Sequence, residues 1–237
     1  LIDVRVLGSG SSGNCYVLDD GHSQLIIEAG IKFNKIQQAL AFDFSRVAGC
    51  LISHEHGDHS KAIKKMTEKT VIDFYASQGT FNALGLSGYH YCKLRPTQSV
   101  QVGSWLVMGF PVEHDAAEPM GFVIENQIGE RLLYVTDTYF VRYRFKGITH
   151  MLVEANYSLE RLQQRIRNGS TTAKMLKNRL YKSHFEIKNT LGFIRANKSP
   201  LLQQVWLIHL SDANADGPSF KKQVAALTGV PVHLAGW

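Results

Sequence analysis

Residues 53–59 read Ser-His-Glu-His-Gly-Asp-His, which brings three imidazoles and two carboxylates into one short stretch. Neutral imidazole nitrogens and carboxylate oxygens are the usual ligands of zinc and of harder divalent ions. In the pattern His54-x-His56-x-Asp58-His59, four donors can converge on one point wherever the backbone turns. The flanking sequence predicts such a turn. The apolar run 47–52 has the character of a buried strand, and residues 61–69 have that of a helix. Asp58 then lies beside a helix N-terminus, where partial positive charge favours anions. Chance seldom places three histidines and an aspartate at this spacing behind an apolar strand.

A metal turn alone is incomplete, so further donors are expected at the ends of later strands. Residues 111–115 (Pro-Val-Glu-His-Asp) put His114 after an apolar run, 134–138 (Tyr-Val-Thr-Asp-Thr) do the same for Asp137, and 206–211 (Trp-Leu-Ile-His-Leu-Ser) for His209. A single strand-end histidine is more often structural than a ligand. Three such ends, in the order His, Asp, His behind the first cluster, point to one sheet edge lined with donors. His22, His90, His150 and His233 have no comparable setting.

The elements that must position these residues can be read in outline. Gly8, Gly10 and Gly13 form a literal Gly-x-Gly-x-x-Gly. A dinucleotide fingerprint would need a helix next, whereas residues 14–18 have a strand pattern and a second strand, 24–27, follows a turn. The glycines therefore belong to an antiparallel pair of strands. Their loop is either a nest of backbone N–H groups or a structural tight turn. Glu28, at a strand end, is placed to orient a ligand histidine from behind. Residues 31–40 read as an amphipathic helix. Beyond the metal turn the pattern predicts strand 71–75, helix 78–84, strands 88–94 and 105–112, and a hairpin of 120–125 and 131–135 across 126–129. This alternation fits an α/β (α+β) fold of two sheets packed between helices, as a single domain spanning residues 1–237.

At 237 residues and 44% hydrophobic, the chain can bury one large core. Three cysteines, Cys15, Cys50 and Cys92, show no Cys-x-x-Cys spacing and indicate a reducing compartment. With no apolar run approaching a membrane span of ~18 residues and no signal-like start, the expectation is a soluble cytoplasmic protein. From the lack of an initiator Met, the true start is expected slightly upstream. The net charge of +6 is uneven. Residues 161–198 carry ten bases, among them Arg161, Arg165, Arg167, Lys174, Lys177, Arg179 and Lys182, against the single acid Glu186. The rest of the chain is net acidic, so the excess is local, and it is the kind of charge that tracks phosphates. A solvated helix face is the plainer alternative.

The His-x-His-x-Asp-His stretch is also the signature of the metallo-β-lactamase superfamily, which the chain resembles. The resemblance narrows to the YycJ/WalJ group of small metallo-hydrolases, similar to a DNA exonuclease. It rests on GSGSSGN near the N-terminus, LIIEAGI at 25–31, VEHDAAEPMGF around His114, VTDT around Asp137, LVEAN at 152–156 and IHLSDAN around His209. The resemblance implies an αββα sandwich with two divalent ions, zinc or manganese. It assigns His54, His56 and His114 to one ion and Asp58, His59 and His209 to the other, with Asp137 bridging. Nuclease branches of the superfamily carry a histidine where His184 stands, which implies a non-ligand acid serving the leaving group; the plainer reading is a histidine on a basic surface. Two departures stand out: Glu28 replaces the group's usual Asp, and SHFEIKN at 183–189 replaces a Gly-His-Leu-Ser-Asn stretch.

The expected function is a two-metal phosphodiesterase acting on DNA as an exonuclease, with a metal-activated water as nucleophile and Asp58 and His184 in the chemistry. The alternative is a small-molecule ester, thioester or lactone hydrolase on the same metals, which leaves the basic run idle. A degenerate nucleic-acid-binding scaffold is disfavoured by the complete ligand set. The 71 residues between Asp137 and His209 leave no room for the large extra domain of the β-CASP nucleases.

Overall fold

The computed structural model describes residues 1–236 and is mixed α/β, with two β-sheets flanked by helices. Its internal contacts divide the chain into two compact units. One comprises Leu1–Pro111 and Ala116–Arg131, the other Val112–Asp115 and the chain from Leu132 onward.

The first unit runs through β1 (Asp3–Gly8), β2 (Cys15–Asp19), β3 (Gln24–Ile27), α1 (Phe33–Ala39), β4 (Val47–Leu51) and the single turn α2 (Gly57–Ser60). It continues through α3 (Ile63–Lys69), β5 (Phe74–Ala76), α4 (Gln78–Leu84), β6 (Tyr91–Lys93), β7 (Ser99–Val102), β8 (Trp105–Pro111) and β9 (Met120–Glu125). Strands β1 to β6 form one sheet in sequence order. The pairs β1–β2 and β2–β3 are antiparallel, and β3 to β6 are parallel. Parallel neighbours need crossovers, and α1, then α2 with α3, then α4 supply them. Ile36, Met66 and Phe81 from these helices join Ile26, Cys50 and Phe74 from the strands in one buried cluster. Residues on the alternate positions, such as Leu25, Ile27 and Leu51, are fully buried too, which is why these strands read as continuous apolar runs rather than alternating ones. Strands β7, β8 and β9 pair antiparallel.

Local signals account for several boundaries. Ser77 caps α4 by accepting from the Thr80 N–H, and Gly85 ends it in a left-handed conformation, so this helix spans the predicted residues. The helix expected at 61–69 is instead the turn α2 followed by α3 from Ile63. The sequence reading does not predict strand β7, whose four residues Ser-Val-Gln-Val are too short an alternation to stand out.

The second unit contains β10 (Arg131–Val135), β11 (His150–Glu154), α5 (Leu159–Arg167), α6 (Thr171–Ser183), α7 (Ile187–Asn197), β12 (Gln204–Ile208), α8 (Gly217–Thr228) and β13 (Val232–Leu234). Its four strands are parallel, in sequence order. Because Val135 pairs with Val153 and Glu154 with Ile208, the chain leaves β10, β11 and β12 at one edge. Asp137, Glu154 and His209 all emerge there, at the carboxyl ends where open parallel sheets present their functional groups. Ser158 and Ser170 cap α5 and α6, and the two helices pack through Leu162, Ala173 and Leu180. No helix among the described residues is long and apolar enough to cross a membrane.

Candidate metal centre

The turn between β4 and α3 carries the first donor set. His54 Nε2 lies 3.1 Å from His56 Nδ1, and His59 Nε2 lies 3.5 Å from Asp58 Oδ2. Two ligands each 2.0–2.1 Å from a tetrahedral ion sit about 3.3 Å apart, so both pairs have the spacing of donors that share one ion. The rings are oriented from behind. Ser53 Oγ meets His54 Nδ1 at 2.9 Å, and Glu28 Oε1 lies 3.4 Å from His59 Nδ1. The other oxygen of Glu28 accepts the Ser53 N–H. Glu28 is fully buried, and its side chain, a methylene longer than Asp, reaches the His59 ring.

The backbone of this turn is clamped by the N-terminal loop. The Asp58 carbonyl accepts from the Asn14 N–H at 2.8 Å and from Asn14 Nδ2 at 3.2 Å, while the Ala29 N–H donates to the His59 carbonyl at 2.8 Å. Gly30 N–H donates to the Asn14 carbonyl. A Cβ at Gly30 would fall 1.6 Å from the Asp58 carbonyl oxygen, so only glycine allows this approach. Asn14 is itself held by Gly10, whose N–H donates to Asn14 Oδ1. The glycine loop is therefore a structural tight turn that sets the metal turn. Glu55 Oε1 accepts the Ala117 N–H at 2.8 Å.

The second unit carries the other donors. His114 Nε2 lies 3.7 Å from Asp137 Oδ2, and His209 Nε2 lies 3.4 Å from Asp137 Oδ1. One carboxylate thus turns its two oxygens toward two different imidazoles. The His114 Nδ1–H donates to the Ser183 carbonyl at 3.1 Å, which leaves Nε2 as the donor atom for a ligand. Asn156 Nδ2 approaches His209 at both Nδ1 and the carbonyl oxygen. Glu28, Asp137 and His209 all have positive φ, of 64°, 44° and 52°, an uncommon region for non-glycine residues and one found at functional sites.

His184 and Glu154 form a buried pair at the same edge. His184 caps the C-terminus of α6 and is 9% exposed, so it does not lie on a basic surface. Its Nδ1–H donates to Glu154 Oε1 at 2.6 Å, and the second Glu154 oxygen accepts the N–H groups of Thr138 and Phe185. Burial alone would push the His184 pKa down. The charge and hydrogen bond of Glu154, helped by Asp137, outweigh it and raise the value to about 9. One ligand atom each from Asp137, Glu154, His184 and His209 lies within 4.8 Å of the others, and the His184 ring stacks on His209 with centroids 5.5 Å apart.

Glu154, Asn156, Asn14 and Ser53 were not singled out as site residues from the sequence. Glu154 carried the same signal as Asp137, an acid closing the apolar run 151–153. Three of the four remaining histidines have side-chain partners elsewhere: His90 with Asp73, His150 with Thr149, and His233 with Gln204. The basic segment divides. Arg161 Nε donates to the Ala213 carbonyl, Arg165 to Asn214 Oδ1, and Lys177 lies over the Tyr181 ring. Arg167 and Lys174 are exposed. Arg179 and Lys182 line a cavity of about 700 Å³ together with His114, Asp115 and Tyr139.

A model described as the beta-lactamase superfamily domain matches residues 24–209. An exodeoxyribonuclease YycJ of Bacillus anthracis is 31% identical over 175 residues, a match covering 67% of this chain and 64% of the relative. The chain thus covers less than two thirds of that relative's length. An exodeoxyribonuclease WalJ of Streptococcus pneumoniae is 30% identical over 231 residues, covering 88% of this chain and 81% of the relative. Among solved structures, the metallo-β-lactamase fold protein YhfI from Bacillus subtilis superposes with a TM-score of 0.74 at 12% identity, over 99% of this chain and 95% of that one.

Proposed function

The chain belongs to the metallo-β-lactamase superfamily, and from that premise we propose that this hydrolase is a two-metal phosphodiesterase acting on DNA from an end. His54, His56 and His114 with one oxygen of Asp137 would hold one divalent ion. Asp58, His59 and His209 with the other oxygen would hold the second. The donor chemistry fits: imidazoles and carboxylates suit zinc or manganese, and each neighbouring pair within a unit has the spacing of co-ligands. Bound there, such ions lower the pKa of water and neutralise charge on a phosphoryl oxygen.

The chain's own groups supply the rest. Glu154 holds the Nδ1–H of His184, which leaves the Nε2–H to be given to the leaving oxygen. Asp58, a ligand whose side chain is one quarter exposed, is able to orient a water. Arg179 and Lys182 neutralise the phosphates that flank the scissile bond. The observation that carries the phosphodiester reading is the cavity in which these two cations stand beside His114, since a neutral ester has no use for them. The relatives named as exodeoxyribonucleases support DNA as the polymer, and the free thiols Cys15, Cys50 and Cys92 support a reducing, cytoplasmic setting.

The test is incubation of metal-loaded protein with end-labelled single-stranded and duplex DNA, the matching RNAs and a nitrophenyl ester. Release of nucleotides from DNA ends is expected. Rapid turnover of the ester with intact polynucleotides would replace the proposal with the small-molecule alternative.

A further inference from the structure

A second cavity of the same unit, about 550 Å³, lies between the segment 139–145 and α7. Its volume is that of a small-molecule site. One wall begins with Tyr139 and Phe140, exposed by 41% and 52% although both are large aromatics. The wall is fastened at both ends. Thr138 Oγ1 lies 2.8 Å from the Phe140 carbonyl and 3.0 Å from the Glu113 carbonyl, either of which can accept its one proton, and the Phe145 N–H donates to Asn197 Oδ1. The floor is the face of α7 bearing Gly192 and Ala196, where a side chain at Gly192 would meet nothing. Phe185 and Phe193 lie beneath it, with ring centroids 5.8 Å apart. Arg144 and Lys188 stand exposed at the rim, and no acidic side chain lines the cavity.

This trough adjoins the proposed reaction centre along the chain. Tyr139 and Phe140 follow Asp137 by two and three residues, and Phe185 follows His184. Tyr139 also lines the cavity that holds His114, Arg179 and Lys182, so one residue is shared by both cavities.

We infer that the trough binds the unpaired terminal bases of a single DNA strand, which stack on Tyr139 and Phe140 while Arg144 and Lys188 hold their phosphates. The inference rests on the proposed nuclease reading and deepens it. Exposed aromatics beside cations, without acids, form the combination that binds single strands whatever their sequence. A duplex keeps its base faces stacked inside, so only a frayed or unpaired end can occupy such a trough. The site would then select strand ends and thread them toward His114.

The experiment is fluorescence anisotropy of the metal-loaded protein with a labelled phosphorothioate thymidine strand of about twelve nucleotides and an abasic strand of equal length and charge. The native protein should bind the base-bearing strand about fivefold or more tightly than the abasic one, the effect of one base–aromatic stack. Phe140→Ala, an exposed position, and Gly192→Trp, which fills the trough from a position with open space, should each remove that preference and leave abasic binding as it was. Preserved melting temperatures establish that both variants are folded. Equal binding of the two strands by the native protein, or a preference that survives in both variants, overturns the trough while leaving the nuclease reading in place. No binding of either strand overturns both.

Discussion

Asp137 turns one carboxylate oxygen toward His114 and the other toward His209, so a single substitution there reaches both proposed ions. Asp137→Ala should lower metal content at both sites together, measured by elemental analysis under limiting metal. Loss of one ion with full retention of the other would contradict a bridging role. The neighbouring pair makes a separate prediction. His184 spends Nδ1 on Glu154, and His184→Ala should keep the metal content while lowering turnover on DNA by ~10²–10⁴, the usual contribution of a general acid. A substrate with a better leaving group should recover part of that loss. A variant that loses metal instead would make His184 a ligand.

At the scale of elements, the strand-turn-helix around residues 53–59 was legible because both flanks carry strong patterns: an apolar run buried on two faces and a helical stretch with Ile63 and Met66 in the core. The three strand ends were legible for the same reason. Glu154 closes an apolar run as Asp137 does, and what stayed hidden was its pairing with His184, thirty residues on. The burial of His184 was hidden too, since the surrounding run of bases reads as surface. The glycine loop carried the opposite difficulty, offering two readings that only its hydrogen bonds to Asp58 and Gly30 separate. Those contacts give the loop a testable duty. Gly30→Ala should force its methyl group into the Asp58 carbonyl, cost about 1–3 kcal/mol in strain, and weaken metal binding. Gly57→Ala, whose added carbon meets nothing, should retain metal. Equal metal affinity in both variants would show that the close approach at Gly30 does not set the ligand turn.

On the scale of the whole molecule, the charge excess of residues 161–198 resolves into two populations. Arg161 and Arg165 hold α5 to residues 213 and 214, so reversing them would disturb packing as well as charge. Arg179 and Lys182 face the cavity at His114 and can be changed with less structural consequence, since both are exposed. If these two neutralise phosphates, binding of DNA must release counterions, and the logarithm of affinity should fall with the logarithm of salt by about 0.7–0.9 per contact. Arg179→Glu with Lys182→Glu should therefore flatten the slope by roughly one to two units and weaken all sequences alike, because phosphates carry no sequence information. The matching reversal of Arg167 and Lys174, which line neither cavity, should change the slope less. Identical slopes for the native protein and the Arg179/Lys182 variant would return the basic run to a solvated helix face, and would leave the family relationship as the only support for a nucleic-acid substrate.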